Sequence, residues 1–425
     1  MSGGPRRVRR ATLGTLVSGV ASQAVLIVSG VLVARLLGPE DRGYLALVVL
    51  LPVVLSHLGG AGLPVAITYF IARSSDRARS IVASISNIAI AQAVALVCLH
   101  ALMLWPFFKD APGFVVGAAL LTLVQAPLFL GMEYGLAVLQ GKQRFGAYNV
   151  LRLLPACVYS LSLIPLFVAS KASLTTITLA WVLSYLICTG VVAVRVRAEL
   201  VGRGEEAPEG TQGEVMRFGL KGFLGSVSPL ETFRLDQAVV GLFLSPAALG
   251  LYVVGLAFTN LPRFIAQSMG AVAYPTIAER TNRASARGVM WRFFYVTAFL
   301  CSLTVVALEF ALPTLLPFFF GEAFADAIPI ARVLLVAGLF LALRRILSDI
   351  ARGDGRASVG TIGEVSSWIF LLPSLVILAA RSDVEGVATA LTISSGLSLL
   401  VAAWALLFFS TKSDHSTQGR PSLAP

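Results

Sequence analysis

The chain has 425 residues, of which 57% are hydrophobic and only 13% charged, with a mean hydropathy of +0.84 and a formal net charge of +11. An average soluble domain carries about 25% charged residues, so too little polar surface exists to cover a water-soluble globule of this size, and a dedicated soluble enzyme domain is excluded. The positive charge does not indicate nucleic-acid binding either, because the basic residues are scattered through short loops between apolar blocks instead of gathering on one face.

Taken in chain order, apolar blocks long enough to cross a hydrocarbon core of about 30 Å fall at 11–34, 44–71, 80–105, 113–139, 147–168, 174–194, 217–243, 247–275, 291–314, 326–347, 359–380 and 384–410. They predict an all-α, polytopic membrane protein with twelve transmembrane helices. Arg6, Arg7, Arg9 and Arg10 precede the first block. That block is too long for a secretory signal and lacks a convincing cleavage site, so it is expected to remain as the first helix. The longest connection, 195–213, contains Gly202-Arg203-Gly204-Glu205-Glu206 and Pro208 and reads as a linker. The expected organisation is a six-helix lobe at 1–196, a cytoplasmic linker at 197–216, a second six-helix lobe at 217–410, and a disordered cytoplasmic tail at 411–425, rich in Ser and Pro.

The basic residues orient these spans. With both termini, the loops at 73–79, 142–144, 195–217, 280–292 and 344–356 hold 23 of the 33 Lys and Arg residues. The opposite loops hold five, Arg35, Arg42, Lys109, Lys171 and Arg381, and five more lie within spans: Arg152, Lys221, Arg234, Arg263 and Arg332. Positive charge is retained on the cytoplasmic side of membrane proteins, which places both termini in the cytoplasm. Cys98, Cys157, Cys188 and Cys301 lie inside apolar blocks with no CxxC pair, and His57, His100 and His415 are too dispersed for a metal site. No Walker A or HExxH sequence occurs, so neither a nucleotide nor a metal cofactor is expected.

The two halves echo each other. Leu37-Gly38-Pro39-Glu40-Asp41-Arg42-Gly43-Tyr44 follows the first span, and Leu244-Ser245-Pro246-Ala247-Ala248-Leu249-Gly250-Leu251-Tyr252 follows the seventh; each has Pro, then Gly four positions later, then Tyr, with the prolines 207 residues apart. After spans four and ten, Gly141-Lys142-Gln143-Arg144 matches Gly353-Asp354-Gly355-Arg356 at an offset of 212. Six spans per half is an even number, so the halves share one orientation and are expected to be related by a pseudo-two-fold axis along the membrane normal, with a central cleft between the lobes.

The run Val33-Ala34-Arg35-Leu36-Leu37-Gly38-Pro39-Glu40-Asp41-Arg42-Gly43-Tyr44 resembles the opening of polysaccharide and O-antigen-type oligosaccharide flippases, the polysaccharide transporter branch of the multidrug/oligosaccharidyl-lipid/polysaccharide exporter superfamily. Arg234-Leu235-Asp236, Gly241-Leu242-Phe243-Leu244, Gly250-Leu251-Tyr252 and Ala273-Tyr274-Pro275-Thr276-Ile277-Ala278 fit the same resemblance. It implies a bacterial cytoplasmic-membrane flippase, not an enzyme, that moves an undecaprenyl-diphosphate-linked oligosaccharide, a cell-surface polysaccharide precursor, to the outer leaflet by alternating access. Its partners would be that lipid-linked substrate, a coupling H+ or Na+, and the polymerase and glycosyltransferases of the same pathway.

A charge at mid-bilayer costs about 2.5–3.5 kcal/mol and usually faces a cavity or a partner. Lys221, Arg152, Glu364 and Glu309 lie near span ends, where long side chains reach the interface. Glu133, Glu231, Arg234, Asp236, Arg263 and Arg332 lie deeper. Glu231 and Arg234, three apart, are expected to pair on one face of span seven, leaving Asp236 to find a partner on another helix. Guanidinium matches phosphate oxygens with two-pronged hydrogen bonds and stays charged when desolvated. Arg263 and Arg234, then Arg332 and Arg152, are therefore the candidates to hold the diphosphate, with Glu133 or Asp236 as the coupling-ion or proton site. Glycines at 59, 60, 62, 219, 222 and 225 read as close helix contacts, and Gly131 with Gly135 forms one GxxxG. A cation-coupled multidrug exporter of the same superfamily is the alternative; a membrane glycosyltransferase or polymerase fits less well, because the outer loops are short.

Overall fold

The computed structural model describes residues 5–169, 172–201, 210–224, 228, 230, 232–279, 283–356, 358–379 and 384–417. Fourteen α-helices and three short 3-10 turns make up these residues, with no strand among them. In order they are α1 (Pro5–Gly60), α2 (Leu63–Arg73), α3 (Ala78–Phe108), α4 (Gly113–Leu121), α5 (Gln125–Gly141), α6 (Phe145–Val168), α7 (Leu174–Glu199), α8 (Thr211–Leu224), α9 (Leu235–Phe243), α10 (Pro246–Ala278), α11 (Arg283–Phe320), α12 (Ala327–Gly353), α13 (Ser358–Ala379) and α14 (Val384–Thr417).

Ten helical stretches among the described residues are long and apolar enough to span a membrane, against the twelve blocks of the sequence. The difference has two physical causes. An unbroken helix of 56 residues would be about 84 Å long, roughly twice a bilayer with its head groups. Instead two helices meet within α1 at Gly38, whose φ of 71° and ψ of 178° are open to glycine and costly for other residues. Spans one and two therefore run together as one helical stretch from Ala24 to Gly60. Span two is completed beyond Ala61 and Gly62, both at positive φ, by α2, which opens with Pro64 in its first turn. The seventh block is not one helix: α8 stops at Leu224 and α9 starts only at Leu235. The remaining nine blocks each correspond to one stretch, with α4 and α5 together forming the fourth. This is the expected all-α membrane architecture, and apolar side chains face outward as a lipid environment requires: Trp105, Phe310 and Val376 are 75%, 84% and 74% exposed.

The chain forms two compact units. The first comprises Met1–Val227 together with Ser245–Gly250, and the second Ser228–Leu244 and Leu251–Pro425. The boundary differs from the expected division at 197–216, because α8 packs on α2 and α3: Gly62 and Gly219 approach so closely that a Cβ on either would meet the other's backbone. The expected linker falls partly on 202–209, which lie outside the described residues, and α14 continues to Thr417, past the start expected for the tail at 411.

Within the first unit, Leu63, Ile67, Ile71, Ile81 and Val138 form one core. Gly131 and Gly135 of the GxxxG let α5 lie directly on Thr189 and Val192 of α7. Ser173 caps α7, its hydroxyl accepting from the Thr176 N–H at 3.2 Å while the Thr176 hydroxyl accepts from the Ser173 N–H at 2.8 Å. In the second unit Ile277, Met290, Ile346, Ile350 and Leu406 share a core. There α14 meets α13 and α12 through buried Ser394, Ser395 and Ser398, whose hydroxyls donate to carbonyls one turn back at 3.0 Å. Small side chains of this kind allow close helix approach without leaving polar groups facing lipid.

The sequence echoes recur as geometry. At the end of α5, Arg144 N–H donates to Leu139 C=O at 2.8 Å, Gln143 has φ 57°, and a Cβ on Gly141 would lie 3.0 Å from the Thr68 carbonyl. At the end of α12, Arg356 N–H donates to Ala351 C=O at 2.8 Å, Gly355 has φ 79°, and a Cβ on Gly353 would lie 2.9 Å from the Tyr274 carbonyl. Both are left-handed C-caps that satisfy the last carbonyls of a helix. The Pro–Gly turns also match: a Cβ on Gly43 would strike the Pro246 carbonyl, and one on Gly250 the Pro39 carbonyl. All four residues lie in the first unit.

Candidate functional site

In the first unit the charged residues of the spans converge. Glu133 on α5 lies within electrostatic reach of Arg152 on α6 and His57 on α1, and Tyr185 on α7 is within reach of Glu133. Glu133, Arg152 and His57 are all exposed in the structure. The His57 Nδ1–H donates to the Val53 carbonyl at 2.8 Å. A carbonyl only accepts, so this contact fixes the tautomer and leaves Nε2 of the neutral ring as the basic nitrogen. Beside Glu133, the Tyr134 hydroxyl donates to Gln92 Oε1 at 2.6 Å and Gln92 Nε2 donates to the Gly59 carbonyl at 2.9 Å. That chain ties α5, α3 and α1 together. It depends on the bare Gly59, where any Cβ would crowd Leu96.

Arg42 adds a charge that the sequence placed in an outer loop. The helix resumes at Pro39, so Arg42 belongs to its first turn, within reach of Tyr159, and its Nε is buried with no hydrogen-bond partner among the described residues. The turn-to-helix signal was present in the proline, which favours the start of a helix.

In the second unit the charges have close partners. Arg234 sits in the left-handed region (φ 46°, ψ 47°) just before α9, not within a helix. The expected helical pairing with Glu231 therefore loses its geometric basis, and Glu231 lies outside the described residues. Asp236, in the first turn of α9 and within reach of Arg234, is 4% exposed and accepts from the Tyr252 hydroxyl of α10 at 2.9 Å. Thus Asp236 does find its partner on another helix, and both residues belong to the motifs that carried the family resemblance. Arg332 on α12 pairs with Glu309 on α11 at 3.7 Å. Arg263 is half-buried on α10, directly after Pro262, whose carbonyl accepts from the Cys301 thiol at 3.4 Å.

The buried Arg344 was assigned to a cytoplasmic loop, yet α12 continues past it. Its Nη1 donates to the Gly363 carbonyl at 2.7 Å and its Nη2 pairs with Glu364 at 3.1 Å. Glu364 is accordingly held by a partner and does not simply reach the interface. Of the four arginines expected at one phosphate, Arg152 belongs to the first unit and Arg234, Arg263 and Arg332 to the second. Each of Arg152, Arg234 and Arg332 has a carboxylate nearby. Among the described residues no group of His, Cys, Asp and Glu is placed to hold a metal ion.

The sequence matches the family described as polysaccharide biosynthesis protein over residues 8–281. The chain belongs to that family. Its fold is also that of solved transporters. The lipid II flippase MurJ in an inward closed conformation superposes with a TM-score of 0.76 at 15% identity, covering 93% of this chain and 87% of that one. An inward-facing multidrug resistance MATE family transporter of the MOP superfamily gives 0.70 at 17% identity, covering 92% and 96%. A MOP superfamily transporter from Pyrococcus furiosus gives 0.65 at 16%, covering 95% of each chain. No curated protein matches the sequence significantly. This family member is a multi-pass membrane protein with the fold of these transporters.

Proposed function

We propose that the protein translocates a polyprenyl-diphosphate-linked oligosaccharide from the cytoplasmic to the outer leaflet of the bacterial cytoplasmic membrane by alternating access, with both termini in the cytoplasm. The observation that carries this reading is the polysaccharide biosynthesis family match, which takes in the opening turn and the Arg234–Asp236 and Arg263 segments. A likeness to the lipid II flippase MurJ at the level of the fold supports it. So does energetics: a diphosphate carrying about two negative charges gains about 4–5 kcal/mol per 100 mV on leaving an inside-negative cell. The barrier is kinetic, because sugar and charge do not cross hydrocarbon unaided, and a polar path removes it.

In this reading Arg263 and Arg234 hold the diphosphate, with Arg332 and Arg152 in support, while Glu133 or Asp236 takes the coupling ion. The Glu133–Arg152–His57 group supports Glu133 over Asp236, because Glu133 is accessible and Asp236 is already occupied by Tyr252. The protein forms no bonds in its substrate. Polymerase and glycosyltransferases of the same pathway would act before and after it. The MATE likeness gives the second reading, a cation-coupled multidrug exporter. Purified protein in liposomes should move a fluorescent polyprenyl-diphosphate sugar between leaflets, and Arg263→Ala should abolish this while inserting normally. Drug efflux with no such movement would overturn the proposal in favour of the second reading.

A further inference from the structure

Arg42 is a charge of the first unit that the transport reading leaves unused. The helix resumes at Pro39 after the Gly38 kink, which fixes Arg42 on its first turn. Its side chain is half-buried and makes no hydrogen bond or ion pair among the described residues, and its Nε is enclosed without an acceptor. The acids beside it in the chain do not neutralise it. Glu40 and Asp41 lie within electrostatic reach of each other and of Tyr44, whereas Arg42 has Tyr159 of α6 within reach. Arg332 and Arg344, by contrast, are paired with carboxylates at 3.7 and 3.1 Å. A guanidinium withdrawn from water without a counter-charge is costly, and an arriving anion removes that cost.

The position of Tyr159 sets this charge in line with another. Here α6 packs on α1, and the Ser160 hydroxyl, next to Tyr159, donates to the Val25 carbonyl at 3.4 Å. Tyr159 follows Arg152 by seven residues on α6, so the two share a helical face about 10 Å apart. Arg152 is exposed, and Glu133 is within its reach without an ion pair between them among the described residues. The first unit therefore carries two open guanidinium groups at two depths. In the orientation proposed above, Arg152 lies toward the cytoplasm and Arg42 toward the outer face. Guanidinium matches phosphate oxygens with two-pronged hydrogen bonds, and the Tyr159 hydroxyl adds a further donor that a phosphate oxygen accepts.

We propose that Arg42 and Tyr159 form an outer station for phosphate oxygens, which receives the diphosphate of the polyprenyl-linked substrate after it leaves Arg152. The identity of the ligand rests on the transport reading; the open cationic site does not.

Arginine labelling tests the station on the unaltered protein. Purified protein would be treated with p-hydroxyphenylglyoxal, which modifies accessible guanidinium groups, and the peptide containing Arg42 followed by mass spectrometry. Undecaprenyl diphosphate and millimolar inorganic pyrophosphate should each protect Arg42 and leave Arg73, exposed at the end of α2, reacting as before. Equimolar phosphatidylglycerol should not protect it. Affinity for undecaprenyl diphosphate should fall about tenfold in Arg42→Gln, for the loss of a charge-assisted contact. Arg42→Lys, which keeps the charge without the two-pronged geometry, should lie between. Failure of undecaprenyl diphosphate to protect Arg42 would overturn the proposal, and protection by pyrophosphate alone would assign the site to a soluble anion. Equal protection by phosphatidylglycerol would hand it to bulk lipid and overturn it too. If no lipid-linked sugar moves in liposomes while undecaprenyl diphosphate protects Arg42, the transport reading falls and the diphosphate site stands. If sugar moves and Arg42 is unprotected, the transport reading stands and the station falls.

Discussion

In the first unit, Glu133, Arg152 and His57 are all accessible and stand near one another, with no short ion pair between them among the described residues. In the second, Asp236 is taken by Tyr252, Arg332 by Glu309 and Arg344 by Glu364 and the Gly363 carbonyl. Two halves that end α5 and α12 with the same left-handed cap thus handle intramembrane charge in opposite ways. A charge enclosed by partners is part of the packing, and removing one side leaves the other exposed to a low-dielectric interior. A charge that is accessible and loosely held remains open to a ligand or an ion. By that criterion the first unit keeps its charges available.

The largest expected effect tests this division directly. Arg344→Ala would strand Glu364, one of whose oxygens is already buried and unpartnered among the described residues. Breaking a buried pair typically costs about 3–5 kcal/mol, and the low end applies because Glu364 is a third exposed. Arg152→Ala in the first unit should cost less than about 1 kcal/mol. Survival of the monodisperse protein after heating in detergent would measure both, and equal losses would break the comparison. Next comes Gly43→Ala, which drives a Cβ into the Pro246 carbonyl and should cost about 1–3 kcal/mol. Gly146→Ala on α6, where nothing lies within 4 Å, should be neutral or mildly stabilising by the same assay.

The turns and caps were legible in the sequence because they depend on local chemistry. Pro39 and Pro246 start helices, Gly43 and Gly250 permit close crossing, and the Gly-x-x-Arg runs place a residue with positive φ one position before the arginine. The break in span seven before α9, where Arg234 takes a left-handed conformation, was less legible, since hydropathy averages over it. Arg42 and Arg344 were misplaced in loops for a related reason: helices extend beyond the apolar block that reveals them. Which charges are enclosed was legible only in part: the sequence sent Asp236 to another helix without identifying Tyr252, and gave no sign that Arg344 is enclosed. Enclosure is decided by neighbours far away in the chain, as Tyr252 is for Asp236 across a helix boundary and Gly363 for Arg344 across a loop.

The Asp236–Tyr252 contact offers a graded test. Tyr252→Phe keeps the packing of a fully buried ring and deletes one hydrogen bond. If Asp236 is ionised, the loss should be about 1.5–3 kcal/mol, and if it is protonated, nearer 1 kcal/mol. Thermal survival of Tyr252→Phe with and without Asp236→Asn therefore reports the state of the carboxyl. A coupling between the two substitutions below about 0.5 kcal/mol would mean that the contact does not lock α9 to α10.

The smallest effect comes from where the two caps are anchored. Arg144 reaches the Glu199 carboxylate at the end of α7 at 2.9 Å, and Arg195 joins the same carboxylate at 2.7 Å; both arginines are about half exposed. The corresponding Arg356 reaches α14 through the Leu406 carbonyl instead. The Glu199 side chain is only 8% exposed, but the arginines that hold it are open to solvent, so this anchor is partly screened by salt, whereas a hydrogen bond to a backbone carbonyl is screened far less. Glu199→Gln should therefore cost about 1 kcal/mol, with the difference from the unaltered protein shrinking in 1 M salt. Hydrogen exchange would locate the change: added salt should raise exchange at the end of α7 and leave the end of α12 and its contact on α14 unaffected. Equal salt sensitivity at both sites would mean that the side-chain anchor and the backbone anchor are interchangeable, and that the two halves differ less than their charges suggest.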